Sequence, residues 1–150
     1  MSYDSRVDTG SHIYEVQCLF AAIIKDLLQR CVNHDRSKLV SPGVEAFDEF
    51  TSGLASTTYG SLEYKECLAA MKPALEHHYA NNRHHPEHYP NGVKDMTLLD
   101  IIEMLADWKA ASLRHNDGNI LKSISHNQTR FGYSDELKQI LLNTVQYLGY

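Results

Sequence analysis

Residues 11–35 read SHIYEVQCLFAAIIKDLLQRCVNHD, and the spacing of their apolar side chains decides the fold class. Val16, Leu19, Phe20, Ile23, Ile24, Leu27 and Leu28 recur at intervals of three and four up to about Val32. That is one stripe of an α-helix. Ser11 is placed to cap this helix near His12, with Glu15 in the first turn. His12 precedes Val16 by one turn, so it is expected beside the buried stripe. Asn33-His34-Asp35 follows at the C-terminal end or in the turn after it. Residues 1–10 read as frayed.

The pattern continues outward. Ser41-Pro42-Gly43 is a turn signal, with Pro suited to a helix start. A short helix with Val44, Phe47 and Phe50 is expected next, and 51–60 reads as a loop. From Ser61 a helical pattern runs through Leu62, Leu68, Met71, Leu75 and Tyr79. Pro73 either kinks it or opens a second helix. Pro86, Pro90 and Gly92 make Asn81 to Lys94 a loop. Thr97 caps the next helix, with Asp100 at its third position as in a capping box. Leu98, Ile101, Ile102, Leu105 and Leu113 form its apolar stripe. Asp117-Gly118 marks a turn, and 119–133 is weakly helical. Ser134 caps a last helix carrying Leu137, Ile140, Leu141, Val145 and Leu148. No segment alternates with period two, and no repeat is present. The expectation is an all-α chain, a compact bundle of about five to seven helices in one domain spanning 1–150.

Composition narrows the function classes. A formal net charge of -5 disfavours a duplex nucleic-acid surface, which needs clustered Lys and Arg. It leaves room for a small phosphorylated substrate, because a bound cation can supply the positive charge. Cys18, Cys31 and Cys67 are odd in number and form no C-x-x-C, so a reducing compartment is expected. The N-terminus lacks signal-peptide character, and no apolar run approaches the ~20 residues of a membrane span. The expected setting is the cytoplasm, away from membranes.

The chemistry concentrates in three places. Five of the nine histidines lie between positions 77 and 88, in HHYANNRHHPEHY (77–89). Convergent imidazoles and carboxylates are what borderline divalent metals require. His34-Asp35 offers one of each, although the dipeptide alone is a weak signal and reads more readily as a helix-end turn. In the 77–89 segment one member of each pair, His77-His78 and His84-His85, can face a metal. Asn82 or Glu87 can fix an imidazole tautomer. Glu103 and Asp107 share a helix face one turn apart. The bland readings are a polar loop for the histidines and a solvated acidic face for Glu103 and Asp107.

The order His, His-Asp, His and Asp on helices resembles the HD-domain superfamily. That resemblance implies a helical bundle around one or two divalent ions. Its minimal site falls on His12, His34, Asp35 and Asp107, with His78 and either His84 or His85 at a second ion. HDRSKL, YGSLEYK, HHYANNRHHPEHY, EMLADWKAAS and NQTRF more closely resemble a family of small phage and bacterial proteins without a settled activity; a phage origin would make the setting the host cytoplasm. One departure stands out. Where HD-domain nucleotidases often carry a glutamate three residues after the His-Asp pair, this chain has Lys38.

The resemblance therefore implies a metal-dependent phosphohydrolase acting on a small nucleotide, of the 5'-nucleotidase or cyclic-nucleotide phosphodiesterase type. One or two ions of Mn, Fe, Co, Mg, Ni or Zn are expected. Asp35, Lys38 and Glu103 are the candidate catalytic residues. Lys38, Asn82, Arg83, His88 and Arg130 are candidates for contact with the substrate. A mixed-valent di-iron oxygenase, and a non-catalytic nucleotide or host-factor binder with a structural metal, are the rival readings. Self-association is left open.

Overall fold

Helical spacing of apolar residues, with side-chain caps at Thr97, Asn119 and Ser134, shapes the elements. The computed structural model describes residues 4–56, 62–114 and 118–150. Among them are seven α-helices and three single-turn 3₁₀ helices, and no strand. The chain is all-α. It divides into two compact units, 1–34 and 35–150.

The first unit is one long helix, α1 (Arg6–Asn33). It begins earlier than Ser11. Ser5 stands at the N-cap without a side-chain cap bond, and the Asp4 carboxylate instead accepts the Arg6 backbone N–H at 3.1 Å. Ser11 and His12 therefore lie within the helix. α1 buries none of its residues, since a single helix offers its apolar stripe no partner element within its own unit. His12 is exposed, so its expected place beside a buried stripe is corrected.

The second unit holds six α-helices among its described residues: α2 (Gly43–Ser56), α3 (Leu62–Ala70), α4 (Lys72–Asn81), α5 (Leu98–Ser112), α6 (Ile120–Phe131) and α7 (Asp135–Tyr147). The helix α2 runs past Phe50 through residues 51–56, which the composition had marked as loop. Pro73 opens α4 in its first turn, where its missing N–H costs nothing, so the interruption is a break between two helices. The 3₁₀ turns Pro86–His88 and Gly92–Asp95 order the proline-bearing loop. Thr97 caps α5 in a full capping box with Asp100. Asn119 caps α6 by accepting the Lys122 N–H, and Gly132 ends it at φ 65. Ser134 caps α7 as its sequence position suggests. The Asp117-Gly118 turn, and His115, fall at or beside residues outside those described.

Val93, Leu105, Ile120, Ile124, Tyr133, Leu141 and Val145 form the core, with Trp108 and Phe131 packed against it. Trp108 stacks on Phe131 with ring centroids 6.2 Å apart. The stripe expected on α5 matches the observed one only in part. Leu105 of that stripe is buried and Ile101 packs against the core, but Leu98, Ile102 and Leu113 are exposed, whereas Asp100, Met104 and Ser112 are buried. Glu103 and Asp107 lie beside that buried face and are only half-exposed. Apolar periodicity alone misses this, because the inward face of α5 carries carboxylates. On α2, Gly43 backs directly onto the Ser37 carbonyl, where a Cβ would collide with the oxygen. This close approach joins α2 to the 3₁₀ turn Arg36–Leu39.

Candidate metal centre

Three structural pieces of the second unit converge: the Asp35 turn, α4 with the segment that follows it, and α5. His34 closes the first unit at the C-cap of α1, and Asp35 follows it directly in the left-handed region at φ 56. Asp tolerates this conformation better than most residues, and non-glycine residues held there cluster at functional sites. One Asp35 oxygen, Oδ2, accepts from the Lys38 ammonium at 2.6 Å. The other, Oδ1, lies 3.4 Å from His78 Nε2 and 3.5 Å from His84 Nε2.

His78 projects from α4 and His84 and His85 from the segment after it. His78 and His84 are each 2% exposed, an unusual burial for two imidazoles in one place. His78 Nε2 and His85 Nε2 are 2.8 Å apart. Asp35, His78, His84 and His85 each present a ligand atom, all within 4.8 Å of one another. Bonds of about 2.0–2.1 Å to a tetrahedral zinc-type ion put neighbouring donors roughly 3.4 Å apart. The Asp35–imidazole separations match that spacing. The donor set is therefore of the right chemistry and size for a divalent ion. Asp107 adds a carboxylate oxygen within 4.8 Å of a His84 ring nitrogen.

The ring nitrogens on the far side are also engaged. His84 Nδ1 lies 3.2 Å from Glu103 Oε1, an arrangement that would keep the proton on Nδ1 and leave the Nε2 lone pair inward. Asn82 donates from Nδ2 to Ser37 Oγ at 2.8 Å and to the His78 carbonyl at 2.7 Å. His78 Nδ1 faces both Ser37 Oγ, at 3.1 Å, and Asn82 Nδ2, at 2.9 Å. These contacts fix the ring with Nε2 towards Asp35. Burial pushes the His78 pKa down to about 4, with the nearby Lys38 cation adding to it against the pull of Asp35. Burial, then the neighbouring His84 and His78, push His85 down to about 3. Both imidazoles are neutral at pH 7, the form that ligates.

The remaining candidates are placed as follows. Lys38 also lies over the Phe47 ring, 5.3 Å from its centroid. Arg83 donates to both Asp100 oxygens, at 3.2 Å each. His88 Nδ1 is 2.9 Å from the Tyr79 carbonyl. Arg130 donates to Glu87 Oε1 at 2.6 Å. Arg83 and Arg130 thus hold parts of the histidine segment to α5 and α6. His12 is in none of the ligand groupings found among the described residues. Ser37 and Asp100 were not singled out as site residues from sequence. Each looks like a commonplace turn or cap residue, and only the fold brings it to a histidine-bearing element.

A model of the family described as "Family of unknown function (DUF5662)" matches residues 1–147. The chain belongs to this family. No curated protein matches the DUF5662 chain, and no solved structure does. No helix among its described residues is long and apolar enough to cross a membrane. Cys18 and Cys31 of this DUF5662 protein are free thiols on α1.

Proposed function

We propose that this DUF5662 protein is a metal-dependent phosphohydrolase acting on a small nucleotide in the cytoplasm. The observation that carries the reading is the convergence of three imidazoles and the Asp35 carboxylate within 4.8 Å. Asp35, His78, His84 and His85 would hold one ion. Asp107 beside His84 would serve a second ion of the HD-domain type. A bound divalent ion supplies a water of lowered pKa and polarises a phosphoryl oxygen.

The chain's own residues do the rest. Glu103 orients His84, and Ser37 with Asn82 orients His78. Lys38 pairs with Asp35 Oδ2 and leaves Oδ1 facing the imidazoles. Its ammonium, 2.6 Å from Asp35, is also placed to share charge with an incoming phosphate. A lysine at this position gives no water-activating carboxylate, so that task falls to Asp35, Glu103 or a histidine.

The test is a panel of nucleoside mono-, di- and cyclic phosphates assayed with Mn, Co, Mg and Fe. Phosphate release that depends on added metal and is abolished by Asp35→Asn supports the reading. Full metal loading without turnover on any of the panel would overturn the hydrolase assignment, and oxygen uptake by an iron-loaded protein would redirect it to oxygenation.

A further inference from the structure

Asp100 is fully buried, yet it is in neither ligand grouping around the histidines. A capping box asks of it only two contacts with Thr97: its backbone N–H bonds Thr97 Oγ1, and its carboxylate takes the Thr97 N–H at 2.8 Å. The carboxylate takes more than that. Oδ2 also accepts from Thr97 Oγ1 at 2.6 Å and from the Tyr89 hydroxyl at 2.8 Å. Arg83 spans both oxygens, from Nε to Oδ1 and from Nη2 to Oδ2. Arg83 also lies over the Tyr89 ring, 5.4 Å from its centroid. Arg83 immediately precedes His84, and Tyr89 immediately follows His88. The extra contacts thus grip both ends of the segment that carries His84 and His85. Three residues further along α5, Glu103 holds the His84 ring itself.

We infer that Asp100 is a positioning residue for the metal centre: through Arg83 and Tyr89 it sets the register of the 83–89 segment on α5, so that the His84 and His85 ring nitrogens meet Asp35 and His78. This rests on the metal reading above. A cap alone would stabilise α5 and leave the segment's geometry to its own 3₁₀ turn. The clamp instead ties two imidazoles to the helix that also bears Glu103 and Asp107. Charge-assisted pairing of a guanidinium with a carboxylate adds the directionality that such placement needs.

The experiment compares wild type with an Arg83→Gln/Tyr89→Phe double variant, with Asp100→Asn, and with Ser134→Ala as a remote cap-loss control. Two readouts are taken: amide hydrogen exchange of His85, His88 and Tyr89 in metal-free protein, and Co(II) affinity with its visible spectrum. The double variant should lose protection at those amides beyond what the control loses. Its Co(II) dissociation constant should rise about 10- to 100-fold, with an altered visible band. Wild-type protection and affinity in the double variant, or an equal loss in Ser134→Ala, would overturn the inference. Should Asp100→Asn fail to fold, the double variant decides, because it keeps the carboxylate and its cap. Selective loss of protection in a protein whose wild type binds no Co(II) would sink the metal reading and leave the clamp standing.

Discussion

Asp35 brings three constraints to one position: a left-handed backbone, a short ion pair with Lys38, and an oxygen facing two buried imidazoles. The histidine segment was legible from sequence because five imidazoles in twelve positions have few bland explanations. The partners that orient those imidazoles were not, since Ser37 acts across 41 residues of chain and no local pattern announces it. His12 was misplaced for a related reason: helical spacing gives a face, not what covers it. The two depressed imidazoles carry a pH prediction. Free histidine titrates near about 6.5. The folded values of about 4 for His78 and about 3 for His85 lie below that. The folded state therefore binds fewer protons, and the stability due to neutral imidazoles is present above pH ~6.5 and lost as pH falls towards those values. Urea midpoints of metal-free protein should drop between pH 7 and pH 4.5, and His85→Gln should flatten that fall. An unchanged slope in the variant would contradict the burial argument.

At the scale of elements, caps were the most readable signals. Thr97 and Ser134 stand where the sequence places them, because a hydroxyl before an apolar run satisfies orphan N–H groups whatever the tertiary context. The start of α1 and the extent of α2 were less readable, since several polar residues could close either helix. The inward face of α5 was the instructive miss. A stripe counted on leucines and isoleucines finds Ile101 and Leu105 at the core but also points to exposed Leu98 and Ile102, while the observed face carries Asp100 and, half-exposed beside it, Glu103 and Asp107. A helix that builds a site breaks the apolar rule where it does so. Gly43 gives the element-scale prediction. A methyl there would strike the Ser37 carbonyl, and the helix end or the turn must yield. Gly43→Ala should destabilise the protein by about 1–3 kcal/mol, read from denaturant unfolding, and should weaken metal binding as Ser37 shifts from His78. Stability equal to wild type would show that the approach is looser than described.

Across the whole molecule, the core and the cluster divide the work within the second unit. Ile124 is fully buried in the core formed by α5, α6, α7 and the turn bearing Val93, and is not among the ligand residues. Ile124→Ala should cost about 2–5 kcal/mol yet leave metal stoichiometry intact in the folded fraction. Metal acts in the other direction. An ion bound only by the folded state raises stability by roughly 2.7 kcal/mol at one hundred times its dissociation constant, so a chelator should lower the melting temperature. The most direct measurement is elemental analysis of untagged protein, purified without a nickel step, for wild type, Asp35→Asn and His84→Ala. The account predicts at least one equivalent of a transition metal in wild type and little or none in either variant. Full metal content in both variants, or none in a wild type that also fails to take up Mn, Fe, Co or Zn on titration, would contradict it.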